Sequence, residues 1–142
     1  MKIRVEAEVR PTEDEDKVKA AVLNIITPSN ITFEEREGRR LLIAEASSPE
    51  ALEKLRWRLR LRQILDTARA VMSSSSSGDR VIFYLHKQAA FMGVVTFCTF
   101  EEESPLGAIK VEISGANADD VIDWLAPPTF KGKPIFEREP PR

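Results

Sequence analysis

The chain has 142 residues, 42% hydrophobic and 31% charged, with a formal net charge of −2. That is one domain's worth of sequence with enough apolar content for its own core, and it excludes collagen-like, disordered and disulfide-framework classes. One Cys98 and one His86 cannot build a zinc site of Cys and His pairs, and the apolar run at 89–100, 12 residues, falls short of the ~20 a membrane helix needs.

Residues 2–10 alternate: Ile3, Val5, Ala7 and Val9 share one face, Arg4, Glu6 and Glu8 the other. Period two with one wet face predicts a half-buried antiparallel strand, ended by Pro11. Thr12 stands as an N-cap with Glu15 three residues on, a capping box opening a helix over 13–26. Glu13, Asp14, Glu15 and Asp16 suit its positive end, and Val18, Ala21, Val22 and Ile25 form its apolar stripe. Two strands follow around Ile31-Thr32-Phe33 and Leu41-Leu42-Ile43-Ala44, joined as a hairpin at Glu37-Gly38-Arg39. Ser47 or Ser48, with Pro49 next, opens the following helix.

Residues 50–72 are helical by composition, but the apolar stripe moves. Leu52, Leu55 and Leu59 fall on one side; Trp57, Leu61, Ile64, Ala68 and Val71 fall roughly opposite. A break between Arg60 and Gln63 resolves the conflict as two shorter helices, each with one buried face. Both tryptophans, Trp57 and Trp124, are expected in the core. Ser73 to Gly78, five serines and a glycine, has the composition of a flexible linker or a loop tip. Arg80 to Leu85 is predicted as a strand buried on both faces, followed by a helical turn from His86 to Ala90, a short ambiguous run at 94–97, and an alternating strand at 108–113. Asn117 caps a helix over 118–126 that Pro127 and Pro128 terminate. The expected organisation is one α+β domain over 1–127 and an extended proline-rich tail over 128–142.

Specific residues carry a family likeness. Glu8-Val9-Arg10-Pro11-Thr12-Glu13-Asp14, Ile64-Leu65-Asp66-Thr67-Ala68-Arg69, His86-Lys87-Gln88-Ala89-Ala90, Gly93-Val94, Glu103-Ser104-Pro105-Leu106-Gly107-Ala108-Ile109 and Asp123-Trp124-Leu125-Ala126-Pro127 occur in order along nearly the whole chain. Together they resemble the archaeal uncharacterised protein family 0201. The resemblance implies a five-stranded antiparallel sheet with about five helices packed against it. That architecture is similar to the RNA-recognition-motif superfamily, in particular the ribosomal protein that binds 5S rRNA. It implies no activity and no catalytic residues.

Charge supplies the main chemical candidate. Residues 1–53 sum to −4 and 73–142 to −3, whereas residues 54–72 sum to +5. Lys54, Arg56, Arg58, Arg60 and Arg62 could contact RNA phosphates; the competing reading is a solvated face paired with the acidic remainder. The chain's pI of ≈ 5.6 is unlike that of a nucleic-acid binder as a whole. In 93–97, a faint echo of the superfamily's aromatic RNA-binding strand, Ala90 and Val94 stand where a basic residue and an aromatic belong.

His86, Lys87, Gln88, Ser104, Pro105 and Gly107 are family-motif positions without an assigned role. Glu101-Glu102-Glu103 is a run of carboxylates that point different ways and so form no cation site. The leading expectation is a non-enzymatic cytoplasmic protein working through protein–protein contacts as a homodimer, without membrane, metal or cofactor. The alternative is an RNA-binding protein, of rRNA or tRNA, using 54–62.

Overall fold

The computed structural model describes residues 1–98 and 107–141. β1 (Lys2–Val9) pairs antiparallel on both sides, with the strands Arg39–Ala46 and Ala108–Ser114. Its alternate residues Ile3, Val5 and Ala7 are buried while Arg4, Glu6 and Glu8 face outward, as period two requires. α1 (Glu15–Leu23) starts later than a Thr12 cap predicts. Asp14 is the cap, its Oδ1 accepting from Asp16 N at 2.9 Å. The Arg10–Glu13 turn preempts Thr12, because Glu13 Oε1 accepts from Arg10 N at 3.0 Å. β2 (Asn30–Arg36) and β3 (Arg39–Ala46) form the expected hairpin, with Glu37 at φ 52° and Gly38 at φ 77°. Positive φ at both central residues is the primed turn whose twist matches the strands.

A 3-10 turn (Pro49–Leu52) leads into α2 (Glu53–Leu61) and then α3 (Leu65–Ser74), so the break falls where the moving stripe requires it. It is a Schellman closure: Gln63 N donates to Arg60 O and Ile64 N to Leu59 O, both at 3.1 Å, with Gln63 at φ 54°. α2 buries Leu55 and Leu59, and α3 buries Leu65, Ala68 and Met72. Trp57 and Leu61, expected inside, are 62% and 60% exposed. Once the break lets α3 take its own side of the core, α2 needs only its leucine face.

The serine run is no linker, and only its end, Gly78 at φ 59°, lies at a loop tip. It completes α3 and forms β4 (Ser76–Ser77), which pairs with β5 (Arg80–His86). Its hydroxyls donate to carbonyls, Ser74 Oγ to Val71 O at 2.8 Å and Ser76 Oγ to Ser73 O at 3.1 Å. β5 is buried on one face only. Val81, Phe83 and Leu85 point in, Ile82 and Tyr84 out, so apolar composition overstated its burial. α4 (Lys87–Phe91), β6 (Phe97–Cys98), β7 (Ala108–Ser114) and α5 (Ala118–Leu125) follow, α5 capped by Asn117 Oδ1 accepting from Asp120 N at 3.1 Å. After Pro128 the chain is not simply extended, since β8 (Thr129–Phe130) and β9 (Lys133–Pro134) form a small hairpin.

The sheet runs β2-β3-β1-β7-β5-β4, with β6 also on β5. It has seven strands rather than five, because the two-residue β4 and β6 extend it around β5. The inward residues of the long strands and the apolar stripes of the helices form one cluster, with Phe83, Trp124, Ile3 and Leu55 at most 1% exposed. The other sheet face is laced with ion pairs: Arg4–Glu6 at 2.9 Å, Arg36–Glu34 at 3.1 Å, Arg39–Glu8 at 3.9 Å, and Arg80–Glu112. Among the described residues no helix is long and apolar enough to cross a membrane.

Candidate nucleic-acid interface

The cations of 54–62 divide by helical geometry into two flanks of α2. On one flank Lys54 Nζ donates to Leu23 O at 2.8 Å, and Arg58 donates to Asn24 O at 3.0 Å and Gly93 O at 2.6 Å. On the other, Arg56 Nε donates to Trp124 O at 3.1 Å, and Arg60 Nη1 donates to Leu125 O at 3.1 Å. These carbonyls end α1, α4 and α5, whose last turns carry no basic residue of their own. A helix C-terminus concentrates partial negative charge and unsatisfied carbonyls. α2 supplies from outside the cations that those helices lack.

Arg56 and Arg60 also converge on Glu137, at 2.9 Å and 2.6 Å, tying the C-terminal segment to α2. The Arg60 hydrogen bond holds the Glu137 carboxyl below the ordinary glutamate value. Glu137 lies in a stretch whose prolines dominated its sequence reading. Only the alternation of acid and base at 137–139 signalled it.

Arg62 differs from its neighbours. It is exposed, caps α2, and makes no side-chain bond among the described residues. Between the two flanks, Trp57 and Leu61 stand four residues apart on the outermost line of α2, with Lys54 one turn before and Arg62 just beyond. The exposed ridge therefore holds an aromatic ring, an aliphatic side chain and two cations. Below Leu61 the α2–α3 break borders a cavity of about 530 Å³ shared with residues 94–97.

The family-motif residues gather elsewhere, at one end of the sheet. His86 pairs with Ala108 in register, and its N–H donates to Thr96 O at 2.9 Å. Lys87 is 3% exposed, and its Nζ donates to Glu8 O at 2.6 Å and Glu13 Oε1 at 2.9 Å. Burial pushes its ammonium below the ordinary lysine value. Gly107, at φ 85°, lies beside Arg10, whose Nη2 would be in ordinary contact with an added Cβ at 3.6 Å, so it is the backbone conformation that favours glycine here. Gln88 is exposed on the groove between α1 and α4. Ser104 and Pro105, with Glu101, Glu102 and Glu103, lie outside the described residues. The structure thus brings Lys87 and Gly107 to Glu8, Arg10 and Glu13, and keeps Lys54 to Arg62 apart from them.

In 94–97 only Phe97 enters a strand, and Val95 is buried, so this segment presents no row of rings. Among the described residues no group of three or more His, Cys, Asp or Glu could hold a metal ion.

The class of protein follows from comparison over this same framework: a family model described as RNA binding matches residues 2–115. A curated relative from Aeropyrum pernix, a UPF0201 protein, is 46% identical over 142 residues, covering 99% of this chain and 95% of the relative. A crystal structure of the UPF0201 protein from Methanococcus jannaschii superposes with a TM-score of 0.85 at 34% identity, covering 96% of this chain and all of that one. This chain belongs to the UPF0201 family of archaeal proteins. The protein Mth689 from Methanothermobacter thermautotrophicus, 20% identical with a TM-score of 0.64 over 86% of this chain and 92% of that one, shares the fold.

Proposed function

We propose that the chain binds RNA through the outer ridge of α2, with Trp57 as the stacking ring and Lys54 and Arg62 as phosphate contacts. The description of the matching family model supports RNA as the ligand class. The observation that carries the location is Trp57, 62% exposed between two exposed cations. Single-stranded RNA is gripped by aromatic rings interleaved with positive charge, and an exposed Trp supplies the stacking part of that grip.

The ridge replaces the full 54–62 block. Arg56, Arg58 and Arg60 serve carbonyls and Glu137, so they are positioning residues for the helical layer. The open sheet face suits RNA less well, because its charges already neutralise one another and Tyr84 is its half-exposed ring among the described residues.

The strand order β2-β3-β1-β7, with α1 between β1 and β2, resembles the split βαβ layout of RNA-recognition-motif-like sheets, with β5 added outside β7. In this reading residues 1–127 are the working domain, and 128–142 is an appended segment clasped to α2. The protein works in the cytoplasm, without catalysis.

Fluorescence anisotropy with labelled rRNA or tRNA fragments at low salt tests the reading. Lys54→Glu with Arg62→Glu abolishes binding, and Trp57→Ala weakens it about tenfold. A wild-type chain that retains no RNA at low salt overturns the proposal.

A homodimer acting through protein contacts is the second reading. The exposure of Phe130 (69%) and Ile135 (62%) on the β8–β9 segment favours it. Light scattering after size exclusion would then give twice 16.0 kDa; a monomer at all concentrations removes it.

A further inference from the structure

The cavity at the α2–α3 break measures about 530 Å³ and is walled by Leu61, Arg62, Gln63, Ile64 and Thr67 on one side and residues 94–97 on the other. Small-ligand sites span ~300–1,000 Å³, so one nucleotide fits its size. We propose that this cavity takes one unstacked nucleotide of a single-stranded RNA, and that the strand continues along α3 past Tyr84. The proposal rests on the RNA-binding reading and names the form of RNA selected.

The chemistry of the lining fits a base and its phosphate. Leu61, Ile64, Val94 and Val95 give apolar walls for the two faces of a base. The Gln63 amide and the Thr67 and Thr96 hydroxyls offer neutral donors and acceptors for its edge. Arg62 stands at the mouth for the phosphate, and no carboxylate lines the cavity among the described residues. The groove between α1 and α4, about 440 Å³, has Glu13 and Asp14 beside Lys17 and Lys87, and its Lys87 already pairs with Glu13, so it offers a phosphate no such uncommitted guanidinium. A second cavity, of about 520 Å³, shares Thr67 and Phe97 with the first and has Tyr84, Ser74 and Ser75 in its wall. The two together make a track with cation, apolar slot and half-exposed ring in sequence.

Gln63 supplies an independent sign. It occupies the left-handed position of the closure between α2 and α3, at φ 54°, where glycine is the favoured residue. The equivalent position after α4 is filled by Gly93, at φ 79°. Retaining a side chain at φ 54° costs stability, as it does at Glu37 and Lys131 in their turns, but of these three only Gln63 lines this cavity.

The test uses the full chain and single-stranded RNA of about ten nucleotides with 2-aminopurine at one position, against a duplex of the same sequence. The wild type binds the single strand at least about tenfold more tightly, and the probe brightens as it leaves its stack for an aliphatic slot. Gln63→Gly and Thr67→Val each weaken single-strand binding about fivefold and abolish the brightening, while Gln63→Gly raises the melting temperature. Tyr84→Leu weakens binding without removing the brightening. Equal affinity for strand and duplex, with Thr67→Val and Gln63→Gly neutral, overturns the cavity assignment and leaves the α2 ridge standing. Absence of any RNA binding by the wild type overturns both.

Discussion

Two ends of this molecule hold polar groups, and they are used in opposite ways. At the sheet end, Glu8, Arg10, Glu13, Lys87 and Gly107 close on one another, and the Lys87 ammonium has protein acceptors at 2.6 Å and 2.9 Å. At the α2–α3 break, Arg62, Gln63 and Thr67 are exposed around a cavity, and one of them sits in a strained backbone conformation. Both ends carry family-motif residues, Lys87 and Gly107 at the first and Ile64, Thr67 and Val94 at the second, but the first is chemically closed and the second is open. Mutual pairing therefore marks where the fold is fastened, and free chemistry marks where a ligand can enter.

The largest expected effect attacks the fastened end. Lys87→Ala strands the mostly buried Glu13 carboxylate and destabilises the chain by about 3–5 kcal/mol, read from chemical denaturation. Because folding lowers the Lys87 value, the cost of burying its charge is present in full below that folded value. That cost fades as pH rises from the folded value toward the ordinary lysine value. Wild-type stability minus that of Lys87→Met should increase over that alkaline range; a flat difference would show that burial does not govern this ammonium.

Arg58→Ala comes next. It uncovers Asn24 O and Gly93 O together and costs about 2–3 kcal/mol, with the loss of hydrogen-exchange protection centred on the C-terminal turns of α1 and α4. At the open end the sign reverses, and Gln63→Gly stabilises by about 1 kcal/mol in the same denaturation assay. Arg62→Gln changes stability by less than about 0.5 kcal/mol, since it breaks no bond among the described residues.

The smallest effect belongs to Glu137. Its folded value lies below the ordinary glutamate value, so the clasp on Arg56 and Arg60 is complete above that ordinary value. It is lost as pH falls through the folded one. Hydrogen exchange over 129–141 should quicken on the acid side well before the sheet opens, and Glu137→Gln should remove that step.

Much of the framework was legible in the residues because it is local. Alternation in 2–10, the Glu37-Gly38 turn, the shift of stripe at 60–63 and the Asn117 cap each need only neighbours in sequence. What escaped was tertiary. Trp57 is apolar enough for a core, but α2 had already filled its inner face with leucines. Ile82 and Tyr84 suggested burial on both sides of β5, yet one face of the sheet meets no helix. Thr12 matched a capping pattern that Asp14 took, because Glu13 was drawn to Arg10 and Lys87.

For the site the charge block was visible but its partners were not. Backbone carbonyls at distant helix ends leave no mark in a one-dimensional pattern. Gln63 and Thr67 went unread as a pair, since only the break brings them to residues 94–97.

The division of labour along α2 changes how the helix presents itself to a distant polyanion. Arg56, Arg58 and Arg60 are committed inward; that leaves Arg62, together with Lys54 once its exposed ammonium gives up Leu23 O, as the outward pair, about 12 Å apart along the axis by helical rise. Counterion release on association through this helix should therefore number about two rather than five, giving a shallow logarithmic slope near −1.4 for a single strand. An arginine-rich helix in an acidic protein is here mostly internal rigging, and its electrostatic reach is that of its two ends.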